Sequence, residues 1–407
     1  MRFGAPFSIC LALCATVLWA AGAMAQQPIQ IIEPVQVGIN GVLQRGTWTP
    51  LRLRVRNNTS KPRTVVCQWI LSDHDGDVAH YQRKVTLGGN TEQGVWLCAP
   101  VPIGTGSDTR WRLVVADAPV RDDTGDGTGD DQPGEVLASL VIRPPFDEGA
   151  VMGLDTRLVG ITGSYGLGLD VNGIGELEGV GMQHELTQLI LGLDPANLPD
   201  QWQGLTMLHA IVWTPRGPDP GSASVSLPTQ AAIQEWIRRG GHFVVVMPSF
   251  GNPWLDSFLG DAFPPVTVGT LPDQTLLPEW IGPNTPLNYR ADFRTFTPRP
   301  GTPPSQVAVL KRHQGEPVVV TSLYGFGRVT LIGVDVSDPQ LVNVGLPNLQ
   351  DMYERGLWGA VFGWRSPAWS STRIRSEKEK NNIVGWGSTP VVLDEFISQR
   401  IDRKSVV

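Results

Sequence analysis

The alternation of apolar and polar residues in the first third of the chain is typical of β-strands. Leu51, Leu53 and Val55 alternate with arginines, which predicts a strand with one face in a core and the other in water. The turn-forming residues 57–60 follow directly. Short apolar segments bounded by turn residues predict six further strands, at residues 35–39, 64–71, 78–87, 94–101, 110–116 and 136–143.

Seven short strands with frequent turns indicate an all-β sandwich, which we place at residues 26–147. Such a domain resembles the immunoglobulin-like modules of many exported proteins. This likeness concerns the fold and implies no activity. Pro144 and Pro145 end the last strand and begin a linker.

The pattern changes after the linker to strands that alternate with helical periodicity. Residues 229–239 predict a helix, because Ile233, Trp236 and Ile237 recur at helical spacing and two glycines follow. Three apolar runs around it predict buried strands, at residues 157–162, 208–213 and 242–247. We therefore expect a multi-domain chain in which residues 148–345 form a three-layer α/β domain.

The first 25 residues have the features of a secretory signal peptide. Arg2 precedes an apolar run over residues 9–21, and the small residues Ala23 and Ala25 fit cleavage before Gln26. An uncleaved anchor is the alternative, although the run is short for a membrane span. We expect an exported protein of the periplasm or cell envelope.

Composition excludes several classes of protein and of ligand. Gly (46) and Pro (34) are abundant among 407 residues and only 17% are charged, which argues against a coiled coil or a helical bundle. A net charge of −7 argues against general nucleic-acid binding. No metal-ligand spacing of His and Cys and no nucleotide-binding fingerprint occurs, so we expect no cofactor.

An acidic turn after residue 72 is a weak candidate for a calcium site. Asp73, Asp75 and Asp77 alternate around Gly76, and carboxylate oxygens are the ligands that Ca²⁺ prefers. An EF-hand would require a bidentate Glu at position 12 of the loop, where this chain has Lys84. A polar turn between strands is the favoured interpretation.

Cys67 and Cys98 are the two cysteines that remain after removal of the signal peptide. Export and their placement in predicted neighbouring strands slightly favour a disulfide between them. Two buried free thiols are the alternative. A catalytic role is the least favoured, because no histidine lies nearby in an elbow-like turn.

Residues 231–246 and 325–335 together resemble class I glutamine amidotransferase-like domains. The first block is a helix, two glycines and a strand, and the second is similar to the late β-hairpin of that family. The resemblance covers about residues 156–340 and implies a flavodoxin-like, three-layer fold. Active members carry a Cys after the strand, where this chain has Ser249, and a late His, which falls here near Asp335. The resemblance therefore implies a degenerate, non-catalytic domain.

The arrangement as a whole resembles uncharacterised bacterial envelope proteins in which a sandwich and such a domain precede a membrane span. Residues 346–407 then form a helical tail, and membrane attachment is expected through sequence beyond residue 407 in a longer form. We expect a non-enzymatic binding or scaffolding protein with a protein or glycan partner in the envelope. The alternatives are a hydrolase that acts on an amide or glycan at Ser249, and a carbohydrate-binding protein with exposed aromatic platforms.

Overall fold

The computed structural model describes most of the chain between residues 27 and 338 and a short segment near residue 360. The described ranges are 27–72, 75–105, 109–118, 134–144, 151–152, 156–164, 167, 187–221, 225–254, 257–275, 290–338 and 357–362. The chain divides into two compact units, and the first comprises Met1–Asn172, Glu185–Thr275 and Asn288–Asn343.

Strands dominate the first unit. They are β1 (Ile29–Val37), β2 (Leu43–Gln44), β3 (Trp48–Asn57), β4 (Arg63–Ser72), β5 (Val78–Leu87), β6 (Glu92–Pro100), β7 (Trp111–Asp117), β8 (Val136–Ile142), β9 (Val151–Met152), β10 (Arg157–Ile161), β11 (Thr187–Ile190), β12 (Leu208–Trp213), β13 (His242–Val246), β14 (Val266–Thr275), β15 (Arg290–Pro298), β16 (Val307–His313), β17 (Glu316–Tyr324) and β18 (Gly327–Ile332). Helix α1 (Leu227–Arg238) belongs to the same unit.

Residues 29–142 form two antiparallel sheets that pack face to face. One has the strand order β1-β3-β6 and the other the order β5-β4-β7-β8. Alternate residues of each strand point into a shared core, where Trp69 and Trp111 meet edge to face with ring centroids 5.0 Å apart. Leu51, Leu53 and Val55 are fully buried, as their alternation with arginines predicts.

A seven-stranded mixed sheet, which we call the central sheet, forms the second half of the first unit. Its order is β11-β10-β12-β13-β18-β17-β16; β10 to β13 and β18 run parallel, and β17 and β16 are antiparallel. Helix α1 packs on one face through Ile233, Trp236 and Ile237. Ser226 caps the helix, since its hydroxyl accepts a hydrogen bond from the Thr229 amide.

The prediction of a three-layer α/β domain that resembles glutamine amidotransferases is wrong. Among the described residues, strands far outnumber helices, and α1 is the single α-helix of more than two turns. The chain passes from β11 to β12 through two 3₁₀ turns, at Pro195–Asn197 and Trp202–Leu205, and from β13 to β18 through the hairpins β14–β15 and β16–β17. Proline and glycine abound in these connections and disfavour the crossover helices that such a domain needs.

The sandwich and the central sheet contact each other through the second 3₁₀ turn and its neighbours. Arg83 of β5 donates hydrogen bonds to Asp200 Oδ1 at 2.7 Å and to the Trp96 carbonyl oxygen at 3.2 Å. Arg52 of β3 donates to Asn197 Oδ1 and lies over the ring of Trp96. The two regions therefore form one body.

The second unit is described through one short helix, α2 (Leu357–Phe362). The rings of Trp358 and Phe362 stack with centroids 5.7 Å apart. In the residues with described structure, no helix is long and apolar enough to cross a membrane.

Candidate functional site

An open cleft of about 570 Å³ lies at the carboxyl ends of the parallel strands β12 and β13. One wall is built by residues 213–215 and 217–220, and the other by Val246, Pro248 and residues 250–254. Five prolines stiffen the two walls, at positions 215, 218, 220, 248 and 253. The carboxyl ends of parallel strands are the usual place for ligands in open sheets.

Arg294 of β15 holds the wall of the cleft that follows β13. Its guanidinium donates to the carbonyl oxygens of Pro248 at 3.0 Å and Gly251 at 2.9 Å, on either side of Ser249 and Phe250. The remaining nitrogen donates to Thr270 Oγ1 at 2.6 Å on the paired strand β14. The hairpin thus fixes a loop that has no secondary structure of its own.

Two residues that line this cleft each carry a side-chain polar atom that is buried without a hydrogen-bond partner. The two atoms are the hydroxyl of Thr214, a residue that is only 1% exposed, and the side-chain carbonyl oxygen of Asn252. Such groups cost free energy in a folded protein unless a ligand or water satisfies them. Phe250, by contrast, is 79% exposed on the cleft wall.

The buried aromatic residues beside the cleft pack against one another. Trp213 and Trp254 meet edge to face at 5.6 Å, and both are at most 2% exposed. The indole N–H of Trp213 donates to the carbonyl oxygen of Pro218 at 3.0 Å, so its hydrogen-bonding capacity is already used. These two rings shape the floor of the cleft and leave Phe250 as its exposed aromatic surface.

Ser249 stands in this loop, but the geometry of a nucleophile elbow is not present around it. The described residues that follow β13 form extended and turn structure, and a short 3₁₀ turn at Gly260–Ala262 comes next. Within the described part of the chain, no histidine or carboxylate bonds the Ser249 hydroxyl. His242 begins β13, at the opposite end of the strand from Ser249.

Asp335 follows β18 and lies at the same edge of the central sheet. Its carboxylate accepts hydrogen bonds from the amide of Ser337 at 3.0 Å and from the Ser337 hydroxyl at 2.5 Å. Burial raises the pKa of Asp335, and these hydrogen bonds and the charge of Arg216 oppose that effect. The carboxylate caps its own turn, and the structure gives it no contact with Ser249.

Two histidines lie near the amino ends of the parallel strands, far from the cleft. His242 Nε2 shares a hydrogen bond with Thr330 Oγ1 at 2.9 Å, and Thr330 in turn donates to Thr321 Oγ1. Burial lowers the pKa of His242 well below its ordinary value, and the charge of Arg328 adds to this. Burial also lowers the pKa of His209 to about 4, with Arg157 and Arg328 acting in the same direction. Both rings are therefore neutral at pH 7.

The expected disulfide between Cys67 and Cys98 is absent, and both residues are buried free thiols. Cys67 lies in β4 and points into the sandwich core. Cys98 lies in β6 on the outer face of its sheet, which faces away from that core. Because the two side chains lie on different faces, they cannot bond. Burial raises the pKa of each thiol to about 12.

The calcium candidate is described only in part. Asp75 and Asp77 lie in the exposed turn before β5, whereas Asp73 lies outside the described residues. Over the described residues, no group of three or more His, Cys, Asp or Glu is placed to hold a metal ion.

Arg294, Asn252 and Phe250 are the cleft residues that the sequence did not indicate. Arg294 is 46 residues away from the Pro248 carbonyl that it binds, and no motif connects the two. Phe250 could have been found, since an aromatic residue between a serine and a glycine in a proline-rich loop has no helical or strand periodicity to bury it.

The described residues define a strand-dominated protein with an open cleft at one edge of its central sheet. Comparison with models of known families gives one match. A family model described as a domain of unknown function (DUF8726) matches residues 30–123, which is part of the sandwich. No curated protein matches the chain.

Solved structures resemble the chain only slightly. The alkylpurine DNA glycosylase AlkC of Pseudomonas fluorescens bound to abasic DNA is 17% identical, with 31% of this chain and 33% of that chain covered and a TM-score of 0.19. The CARDB domain of the PF1109 protein from Pyrococcus furiosus with di-metal ions is 11% identical, with coverages of 32% and 95% and a TM-score of 0.18. A β-glucuronidase of glycoside hydrolase family 2 is 12% identical, with coverages of 56% and 23% and a TM-score of 0.21. The chain thus spans about a third of the first protein and under a quarter of the third.

Proposed function

We propose that this protein is an exported, non-enzymatic binding protein of the cell envelope whose ligand site is the cleft after β12 and β13. The observation that carries the proposal is an open cleft at the carboxyl ends of two parallel strands whose wall presents Phe250, a side chain that is 79% exposed. Thr214 and Asn252, which also line the cleft, each keep a buried side-chain polar atom without a hydrogen-bond partner. The loop that carries Asn252 is held by Arg294 before any ligand arrives, and such preorganisation lowers the cost of binding.

A library of small fluorinated fragments, screened by ¹⁹F NMR, tests whether the cleft is a binding site. We expect several fragments to broaden with the native protein and to lose this broadening with Phe250→Ala. Phe326→Ala is the matched control, because Phe326 is 92% exposed in a glycine-flanked turn outside the cleft. If no fragment depends on Phe250, the cleft is not the site and the proposal is wrong.

The non-enzymatic character rests on the surroundings of Ser249. A serine nucleophile requires a base within hydrogen-bonding reach, and the nearest histidine in sequence, His242, lies at the far end of its strand. We expect a fluorophosphonate probe to leave the native protein unlabelled. Labelling that disappears in Ser249→Ala would support the alternative, a hydrolase that acts on an amide or glycan.

Export rests on the leader sequence, with Arg2 before an apolar run and Ala23 and Ala25 before the cleavage point. Expression of the full chain in a Gram-negative host should yield a periplasmic product whose N-terminal residue is Gln26. A cytoplasmic product that retains Met1 would contradict this part of the proposal and would leave the cleft's binding role untouched.

A further inference from the structure

We infer that the ligand of the cleft is a neutral saccharide, an inference that rests on the proposed binding function and names its ligand class. The cleft offers one flat, solvent-exposed apolar surface, the ring of Phe250, beside a set of hydrogen-bond acceptors. A pyranose ring has the complementary structure. One of its faces is a patch of C–H groups that packs on aromatic rings, and its hydroxyl groups donate hydrogen bonds outward.

The charge of the cleft lining favours a neutral ligand over an anionic one. Among the described residues that line it, Asp219 carries the single charge. Arg216 lies on the same loop but does not line the cleft, and its charge acts on Asp335. Arg294 lies behind one wall, and its nitrogens bond Pro248, Gly251 and Thr270. A phosphate or carboxylate would therefore meet a carboxylate, and no positive charge, among the described lining residues.

An exposed carboxylate in the cleft lining suits a ligand that brings hydrogen-bond donors. One oxygen of Asp219 accepts from the Gly221 amide at 2.9 Å, and because Asp219 is exposed its carboxylate can accept further hydrogen bonds. The five lining prolines bring no N–H groups, and the carbonyl oxygens of Pro218 and Pro248 already accept from Trp213 and Arg294. The hydroxyl groups of a saccharide can donate to Asp219.

A proline-rich peptide is the main competitor, because proline and aromatic walls also occur in peptide-binding grooves. Such grooves hold the peptide by aromatic side chains and by donors that reach its carbonyl oxygens. Here the donor best suited to that task, the indole N–H of Trp213, is bonded to Pro218, and Trp254 is only 2% exposed. The cleft thus lacks an available indole donor among its described residues.

The volume is compatible with a short oligosaccharide. About 570 Å³ lies within the usual range of small-molecule sites. Phe250 is largely exposed on the cleft wall, so a chain of sugar rings can extend past it.

Isothermal titration and a glycan array test the inference with defined probes. The probes are oligomers of N-acetylglucosamine, cello- and malto-oligosaccharides, heparin as an anionic glycan, and a proline-rich decapeptide. We expect one neutral series to bind, Phe250→Ala and Asp219→Ala each to weaken it about tenfold or more, and Phe250→Trp to retain it. Phe326→Ala should leave binding unchanged.

The outcomes separate the saccharide inference from the proposed function. If no neutral glycan binds while fragments still bind through Phe250, the saccharide assignment is wrong and the cleft remains a binding site. Heparin or the peptide binding in a Phe250-dependent way would overturn the assignment in the same manner. If neither fragments nor glycans depend on Phe250, both proposals fail. Phe250 is exposed, so equal melting temperatures of the variants exclude a folding defect as the cause.

Discussion

The two edges of the central sheet are built in opposite ways. At the amino edge, backbone groups approach each other closely: the amides of Phe326 and Arg328 donate to the carbonyl oxygens of Arg238 and Gly241 at 2.9 and 3.1 Å. At the carboxyl edge, two loops stand apart around a cleft, and Arg294 bridges over one of them with its side chain.

The difference shows where this fold can accept a ligand. The amino edge is closed by backbone contacts that only glycine permits, and its histidine His242 is bonded to Thr330. The carboxyl edge keeps Thr214 and Asn252 unsatisfied and Phe250 exposed. The amino edge therefore stabilises the sheet. The carboxyl edge instead places an exposed aromatic ring and unpaired polar atoms beside a cleft.

The largest expected loss of stability comes from a substitution that adds a side chain at the tightly packed amino edge. In Gly327→Ala the new Cβ would lie 1.9 Å from the Ile237 carbonyl oxygen and 2.4 Å from that of Gly241, so the β17–β18 turn must separate from α1. We expect a loss of about 3 kcal/mol or more in the free energy of unfolding. Gly251→Ala is the control at the open edge, where nothing lies within 4 Å and only a φ of +74° opposes the change. Its cost should be about 1 kcal/mol. Equal losses in urea denaturation would contradict the contrast.

Removal of the Arg294 guanidinium should have the second-largest effect. Arg294→Ala leaves the carbonyl oxygens of Pro248 and Gly251 without their donor, and we expect a loss of about 2 kcal/mol and a weaker binding of fragments to the cleft. Arg290→Ala removes an exposed ion pair with Asp273 on the same hairpin, which is worth at most about 1 kcal/mol. If both variants retain full stability and fragment binding, Arg294 does not organise the loop.

Acid should destabilise the protein through the amino edge. The folded-state pKa of His209, about 4, lies below its ordinary 6.5, so the unfolded chain takes up a proton first as the pH falls. This contribution to stability is complete above about pH 6.5 and is lost between there and pH 4, at no more than about 1.4 kcal/mol per pH unit. Buried His242 acts in the same direction.

Chemical denaturation at several pH values between 7 and 4 measures this effect. His209→Gln should reduce the slope of the unfolding free energy against pH by the contribution of about one proton taken up on unfolding. If His209→Gln leaves the slope unchanged, a group other than His209 causes the acid sensitivity.

The smallest effect is expected in the sandwich, which serves as the reference region. Burial holds the pKa of Cys67 and Cys98 at about 12, so neither thiol should react with Ellman's reagent in the native protein at pH 8. Both should react in non-reducing denaturant, and the absence of reaction there would indicate a disulfide. Gly327→Ala should expose the thiols only if the sandwich unfolds together with the central sheet.

Local patterns in the sequence predict local structure well in this chain. The alternation over residues 51–56 gives β3, and helix α1 ends before Gly240 as its C-terminal glycines indicate. The arrangement of the central sheet did not follow from such patterns. A strand, a helix and a strand in succession suggested repeated helical crossovers, whereas the connections are 3₁₀ turns and hairpins. The cleft was beyond reach for a related reason, since it depends on Arg294 meeting a loop 46 residues distant.

The contact between Arg83 and Asp200 joins the segment that the family model matches to residues beyond it. The match ends at residue 123, whereas the 3₁₀ turn Trp202–Leu205 packs near strands β3 and β6. Trp96 and Cys98, on the outer face of β6, are both buried. Arg52, inside the match, lies over Trp96 and at the same time bonds Asn197 outside it. In this chain the boundary of the sequence match therefore does not coincide with a boundary in the packing.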